Sequence, residues 1–125
     1  MRTIAPLVAG AATVMAFAFQ ASAGTTLDAV RQKGFVQCGV AATGIPGFAT
    51  VDDRNQWQGL DIDVCRSVAA AIFADATRVK FTPLSAKERF TALQSGEIDI
   101  LARNATWSLL RDTALGLDFP VVNYY

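Results

Sequence analysis

Two arginines and a threonine, Arg103, Thr106 and Arg111, follow a short apolar run, Ile98 to Ala102, that reads as a strand. They lie just past its C-terminal end, where the backbone NH groups at the start of a following helix add positive potential, so the place suits an anion. An arginine there can grip a carboxylate with two parallel hydrogen bonds. A threonine hydroxyl can accept from an ammonium or donate to a carboxylate oxygen. Spacing alone equally allows Arg111 to pair with neighbouring Asp112 or with another surface carboxylate, because exposed arginines are common.

Other chemistry is limited by what the chain carries. It has no histidine, which removes the commonest general base and metal ligand and excludes a Ser-His triad or a zinc hydrolase within this stretch. No catalytic residue, metal site or cofactor is expected. Asp61 and Asp63 do not form a carboxylate pair, because two residues apart on a helix they point in different directions; Asp61 is better read as an N-cap. Trp57, Phe48 and Trp107 are the aromatics nearest the polar loops and could wall a ligand, although large aromatics are more often core and Trp57 can equally cover a sheet edge. Asn104-Ala105-Thr106 matches a glycosylation sequon and is read as chance.

The elements that must position these residues follow from the pattern of apolar positions. A short helix over Thr26 to Lys33, stopped by Gly34, precedes a buried strand, Phe35 to Val40. Ala41 to Thr50, with Gly44, Pro46 and Gly47, reads as a loop, and Asp52 to Asn55 as a polar turn. Val64, Cys65, Val68, Ala69 and Ile72 recur at helical spacing after Gly59, and this helix ends near Ala74 or Asp75. Val79 to Leu84 is a second strand. Ser85-Ala86-Lys87-Glu88 is a capping-box pattern that opens a helix from about Ala86 to Ser95, with Phe90 and Leu93 inward and Gly96 at its stop. With Ile98 to Ala102 as the third strand, the order is that of an α/β unit with a mostly parallel sheet and helices on both faces. Such sheets bind ligands at the C-terminal ends of their strands, so the loops after Val40 and after Ala102 should share one rim.

The first residues have a different purpose. Arg2 precedes a nearly unbroken apolar run, Ile4 to Phe19, which ends at Ala21-Ser22-Ala23. A basic start, an apolar run too short to span a bilayer and a small-x-small site make a secretory signal peptide over residues 1–23, cleaved after Ala23. The remaining residues 24–125 carry one more acidic than basic side chain, which leaves no basic footprint for nucleic acid. Export places Cys38 and Cys65 in an oxidising compartment, where a bridge between them is favoured and would contribute roughly 3–4 kcal/mol. Two buried free thiols are the alternative.

Several runs together resemble one known family. They are Gly34-Phe35-Val36-Gln37-Cys38-Gly39-Val40, Gly59-Leu60-Asp61-Ile62-Asp63-Val64-Cys65-Arg66, Phe81 through Phe90, Leu93 through Asp99, and Arg103-Asn104-Ala105-Thr106-Trp107 with Arg111-Asp112-Thr113. In this order they closely resemble the general L-amino acid binding proteins of bacterial ABC transporters, within family 3 of the extracellular solute-binding proteins. The resemblance covers Thr26 to Tyr125. It implies a periplasmic binding protein-like fold of type II, in which two α/β lobes joined by hinge strands close over an amino acid. Family members are well over twice this length, so residues 24–125 are read as lobe I, truncated near the first hinge strand, with the second lobe absent.

Carried onto this chain, the resemblance implies that Arg111 binds the ligand α-carboxylate, with Thr106 as the hydroxyl residue beside it. Asn104 matches a position that contacts the α-amino group. Ala41 stands where several polar amino acid binders carry an aspartate for the ammonium, which leaves Thr43, Gly44 and Phe48 as contacts and fits a broad preference. Arg103 completes the candidate set, and the acid that fixes the ammonium group is expected in the other lobe. The implied function is a periplasmic binding module without catalysis, a monomer that delivers L-amino acids to the membrane permease of an ABC transporter. Two alternatives remain. One is an exported enzyme on the same fold, such as a cyclohexadienyl dehydratase, disfavoured because the loop offers no free carboxylate or histidine. The other is the sensor domain of a receptor.

Overall fold

The computed structural model describes residues 24–124; the signal peptide read at residues 1–23 and its cleavage after Ala23 lie outside the described residues. Helix α1 (Thr25–Lys33) leads into β1 (Val36–Ala41), and a hairpin of β2 (Thr50–Val51) and β3 (Trp57–Gln58) follows. Then come α2 (Leu60–Phe73), β4 (Val79–Leu84), α3 (Arg89–Gln94), β5 (Ile100–Leu101) and α4 (Leu109–Thr113). Gly34 ends α1 in the left-handed conformation at φ 79° and returns its NH to the Val30 carbonyl, as a glycine stop should.

The main sheet is parallel, in the order β4-β1-β5. β4 pairs along the whole of β1, from Val36 opposite Val79 to Ala41 opposite Leu84. β5 pairs on the other side, with Cys38 opposite Ile100 and Gly39 opposite Leu101. The chain crosses through α2 from β1 to β4, then returns through α3 to the far side of β1. Its direction therefore reverses between β1 and β5, and the crevice of such a sheet opens beyond the C-terminal ends of those two strands.

Both faces of the sheet are covered, as the order of elements predicts. Val36, Cys38 and Val40 point to one face, where Val30 of α1 and Ile62, Cys65 and Ala69 of α2 pack on them. The opposite face is closed by Ala92 of α3 with Leu84, Ile98, Leu93 and Leu101. A Cβ on Gly39 would come within 2.5 Å of Ile98 Cδ1 and 2.9 Å of Leu84 Cδ1, so the missing side chain lets this second layer sit close to the central strand. Trp57 packs on Phe81 of the edge strand β4, so it covers a sheet edge.

Two local expectations are corrected. Asp61 does not cap α2: the N-cap is Gly59, which provides no side-chain bond. Loop carbonyls replace the cap, since Leu60 N donates to Gly47 O at 3.0 Å and Asp61 N to Phe48 O at 2.9 Å. The stretch expected as loop and turn also holds the β2–β3 hairpin, whose turn is stapled by Asp52 Oδ1 accepting from Arg54 N and Gln56 N. Strands of two residues are too short to show alternation. The capping box does form, with Glu88 N donating to Ser85 Oγ and Ser85 N to a Glu88 carboxylate oxygen. Regular helix begins only at Arg89.

Cys38 and Cys65 are bonded, with their Cα atoms 6.1 Å apart in space and the residues 27 positions apart in sequence. Both are fully buried, so the bond ties the central strand to α2 inside the core. Replacing both with alanine is expected to lower the unfolding free energy by about 3 kcal/mol, mainly by freeing the unfolded chain. Urea titration of the two forms measures this, and coincident midpoints would refute it.

Candidate functional site

The ends of all three parallel strands meet at one carbonyl. Leu84 O, last in β4, accepts from Ala42 N just past β1 at 3.1 Å and from Arg103 Nη1 past β5 at 2.8 Å. Around this point the chain assembles a cationic rim. Arg103 Nε donates to Asn104 Oδ1 at 3.3 Å, and Arg89 Nη1 donates to Asn104 O at 3.4 Å. Arg111 is held from both ends: its backbone NH donates to Ser108 Oγ, the N-cap of α4, and its guanidinium donates to Thr106 O. The guanidinium carbons of Arg89 and Arg111 lie 4.7 and 5.1 Å from the centroid of the same ring, Phe90.

The ion pairs among the described residues are Lys33–Asp99, Arg66–Asp63 and Arg78–Asp75, and they include none of these three arginines. Asp112, the neighbour available to Arg111, instead accepts from Trp107 Nε1 at 3.3 Å. Arg89 has a buried Nε without a hydrogen-bond partner among the described residues. Burial, and then the charges of Arg103 and Arg111, lower its pKa from the ordinary arginine value. Burial also lowers that of Arg103, against the opposing pull of Asp61. The rim therefore holds like charges together without a carboxylate bonded to them, an arrangement that favours an incoming anion.

Behind the rim lies Asp61, only 1% exposed. One of its oxygens accepts from Asn123 Nδ2 at 3.2 Å and the other has no partner among the described residues. Burial raises its pKa, while Asn123 and the charge of Arg103 pull it down. A carboxyl with a raised folded pKa favours the folded state fully below the ordinary carboxylate pKa, and that contribution is lost as pH rises through the raised value. Asp61→Asn, which stays neutral, is therefore expected to be more stable than the parent at pH 7, with the advantage shrinking towards pH 3. Urea unfolding across that range tests the sign; a variant less stable at pH 7 would contradict it.

The structure thus forms two hydrogen-bonded groups, Arg103 and Arg89 with Asn104 and Arg111 with Thr106, which meet at the Phe90 ring shared by Arg89 and Arg111. Thr43 is exposed in the loop after β1 and makes no side-chain hydrogen bond to either group among the described residues. Phe48 meets Tyr124 edge-on, ring centroids 5.1 Å apart. Trp107 stacks on Phe119 and remains 58% exposed. Sequence reasoning missed Arg89, and Phe90 as the platform beneath two guanidinium groups; it also missed the buried carboxyl of Asp61. Two concavities lie elsewhere, one between Trp57, Arg66 and Phe81 and one along α2 beside Val121. Among the described residues no group of histidine, cysteine, aspartate or glutamate side chains is arranged to hold a metal.

Comparison with known proteins agrees with this architecture. The model of bacterial extracellular solute-binding proteins, family 3, matches residues 36–123. The general L-amino acid-binding periplasmic protein AapJ of Rhizobium johnstonii is 58% identical over 114 residues, which cover 91% of this chain and 33% of that protein. The glutamate/glutamine/aspartate/asparagine-binding protein BztA of Rhodobacter capsulatus is 48% identical over 122 residues, 98% of this chain and 33% of that protein. Among solved structures, an ABC transporter periplasmic binding protein from Brucella ovis with glutathione bound is 64% identical, with a TM-score of 0.76. The match covers 79% of this chain and 30% of that one. The chain spans about a third of the length of the curated relatives it matches.

Proposed function

Because the chain belongs to family 3 of the bacterial extracellular solute-binding proteins, we propose that it captures L-amino acids and passes them to the membrane permease of an ABC transporter. One observation carries this reading: Arg111, oriented by Ser108 and by the Thr106 carbonyl, stands past the end of β5 without an ionic partner among the described residues. It has guanidinium donors left for a ligand α-carboxylate, with Thr106 and Asn104 beside it for the rest of the amino acid head. Thr43 and Phe48 of the facing loop are further contacts in this reading.

Residues 24–125 then form one lobe of a two-lobed clamp, which closes because the ligand makes contacts to both lobes. Residues 1–23 act as the export signal and the clamp works in the periplasm, as a monomer. It binds without chemistry. The rim offers guanidinium, amide and hydroxyl groups, and the carboxyl behind it, Asp61, is too deeply buried to reach a ligand. The relatives AapJ and BztA carry names of binding proteins, which supports the same choice over a dehydratase.

Calorimetric titration of the full-length protein with a panel of L-amino acids, run beside an assay for prephenate or arogenate consumption, tests the proposal. Binding without turnover is expected. Failure of every amino acid to bind, or turnover of either acid, would overturn it.

A further inference from the structure

Burying a carboxyl is costly unless hydrogen bonds compensate for it. Asp61, 1% exposed, has one side-chain partner among the described residues, the amide of Asn123, 62 positions further along the chain. Asn123 is exposed and belongs to residues 118–124, which lie outside regular structure and make no backbone–backbone hydrogen bond among the described residues. The other fastenings of this segment are apolar: Phe119 stacks on Trp107, Val121 lies beside α2, and the ring of Tyr124 meets Phe48 edge-on. Asp61 therefore holds Phe48 from two directions. Its NH donates to Phe48 O at 2.9 Å and fixes the main chain. Its carboxylate, through Asn123, fixes the residue next to Tyr124, whose ring centroid stands 5.1 Å from that of Phe48.

A phenylalanine ring moves between staggered χ1 wells when nothing blocks it, and a second aromatic packed edge-to-face restricts that choice. A ring already fixed does not have to be ordered by the ligand, so its ordering cost is absent from the affinity. We propose that Asn123 and Tyr124 are positioning residues for amino acid capture: the buried carboxyl of Asp61 pins them, and they keep the Phe48 ring in place for the ligand. This rests on the reading of Phe48 as a ligand contact. Both residues act through Phe48, and neither needs to touch the ligand.

The test is calorimetry on the full-length protein with the tightest binder among L-alanine, L-leucine, L-glutamine and L-glutamate. Asn123→Leu and Tyr124→Leu are each expected to weaken binding about fivefold. Both positions are exposed, so the variants should fold, which thermal melting verifies. Asp61→Asn keeps an oxygen for the Asn123 amide and is expected to bind within about twofold of the parent. The decisive comparison is a double-mutant cycle. Once Phe48→Leu has removed the ring, adding Asn123→Leu should change the affinity by less than about twofold, because nothing is left to position. A role in general stability alone would leave the full fivefold loss in that background, and this result would overturn the inference. Unchanged binding in either single variant, Asn123→Leu or Tyr124→Leu, would do the same. If Phe48→Leu alone binds like the parent, Phe48 is no contact and the inference falls while amino acid capture stands. If none of the four amino acids binds the parent, capture falls with it.

Discussion

Gly59→Ala is expected to destabilise the protein by about 4 kcal/mol, the largest effect on folding of any substitution considered. Gly59 has φ 122° and ψ 174°, a region open essentially to glycine alone. A Cβ there would lie 2.4 Å from Phe48 O and 2.5 Å from Phe48 C. These are backbone atoms that cannot rotate away, and Phe48 O is held in place by the Asp61 NH it accepts from. Relief of the contact would pull the loop off the start of α2 and leave the Leu60 and Asp61 amides without their acceptors. Urea titration should show the midpoint falling accordingly, and a loss below about 1 kcal/mol would mean that the loop can shift cheaply.

Arg111→Lys is expected to weaken amino acid binding by about a hundredfold while barely changing the melting temperature. Arg111 already gives one donor to Thr106 O, and a planar guanidinium can do so and still offer a two-point grip to a carboxylate. An ammonium on a flexible stem is a point charge with no fixed plane, so it keeps the charge and loses the geometry. No carboxylate is orphaned in the fold, because Arg111 is in none of the described ion pairs, and a lysine ammonium can still donate to Thr106 O. Calorimetry of the parent and the variant with the tightest amino acid measures the effect. An unchanged affinity would place the carboxylate elsewhere on the rim.

Much of the framework could be read directly. The second strand, Val79 to Leu84, has the bounds expected from its apolar run, and β1 is displaced by a single residue at each end. Gly34, the capping box and the Cys38–Cys65 bridge were legible because each depends on local chemistry or on the compartment. Asp61 was misread because its position beside a helix start looks like a cap, while the true acceptors, Gly47 O and Phe48 O, arrive from a loop more than ten residues earlier. Arg103, Thr106 and Arg111 could be placed past a strand end by spacing. That Arg111 is free of Asp112 could not, since the competing bond from Trp107 is a matter of side-chain placement. Arg89 gave no signal of its own, because an arginine in the first turn of a helix ordinarily points into water. Only the packing of α4 beside α3 brings Arg111 onto the Phe90 ring that its chain neighbour Arg89 also uses.

The Leu84 carbonyl, shared by Ala42 and Arg103, also affects the thermodynamics of capture. Loops that are loose before a ligand arrives surrender conformational entropy when they close on it, and each ordered side chain takes about 0.5–1.5 kcal/mol from the affinity. Here the segments after β1 and after β5 are anchored to one atom by the fold itself, so part of that ordering is supplied by folding. Association with such a surface is close to the meeting of two shaped bodies, and its heat should come mainly from contacts made with the ligand.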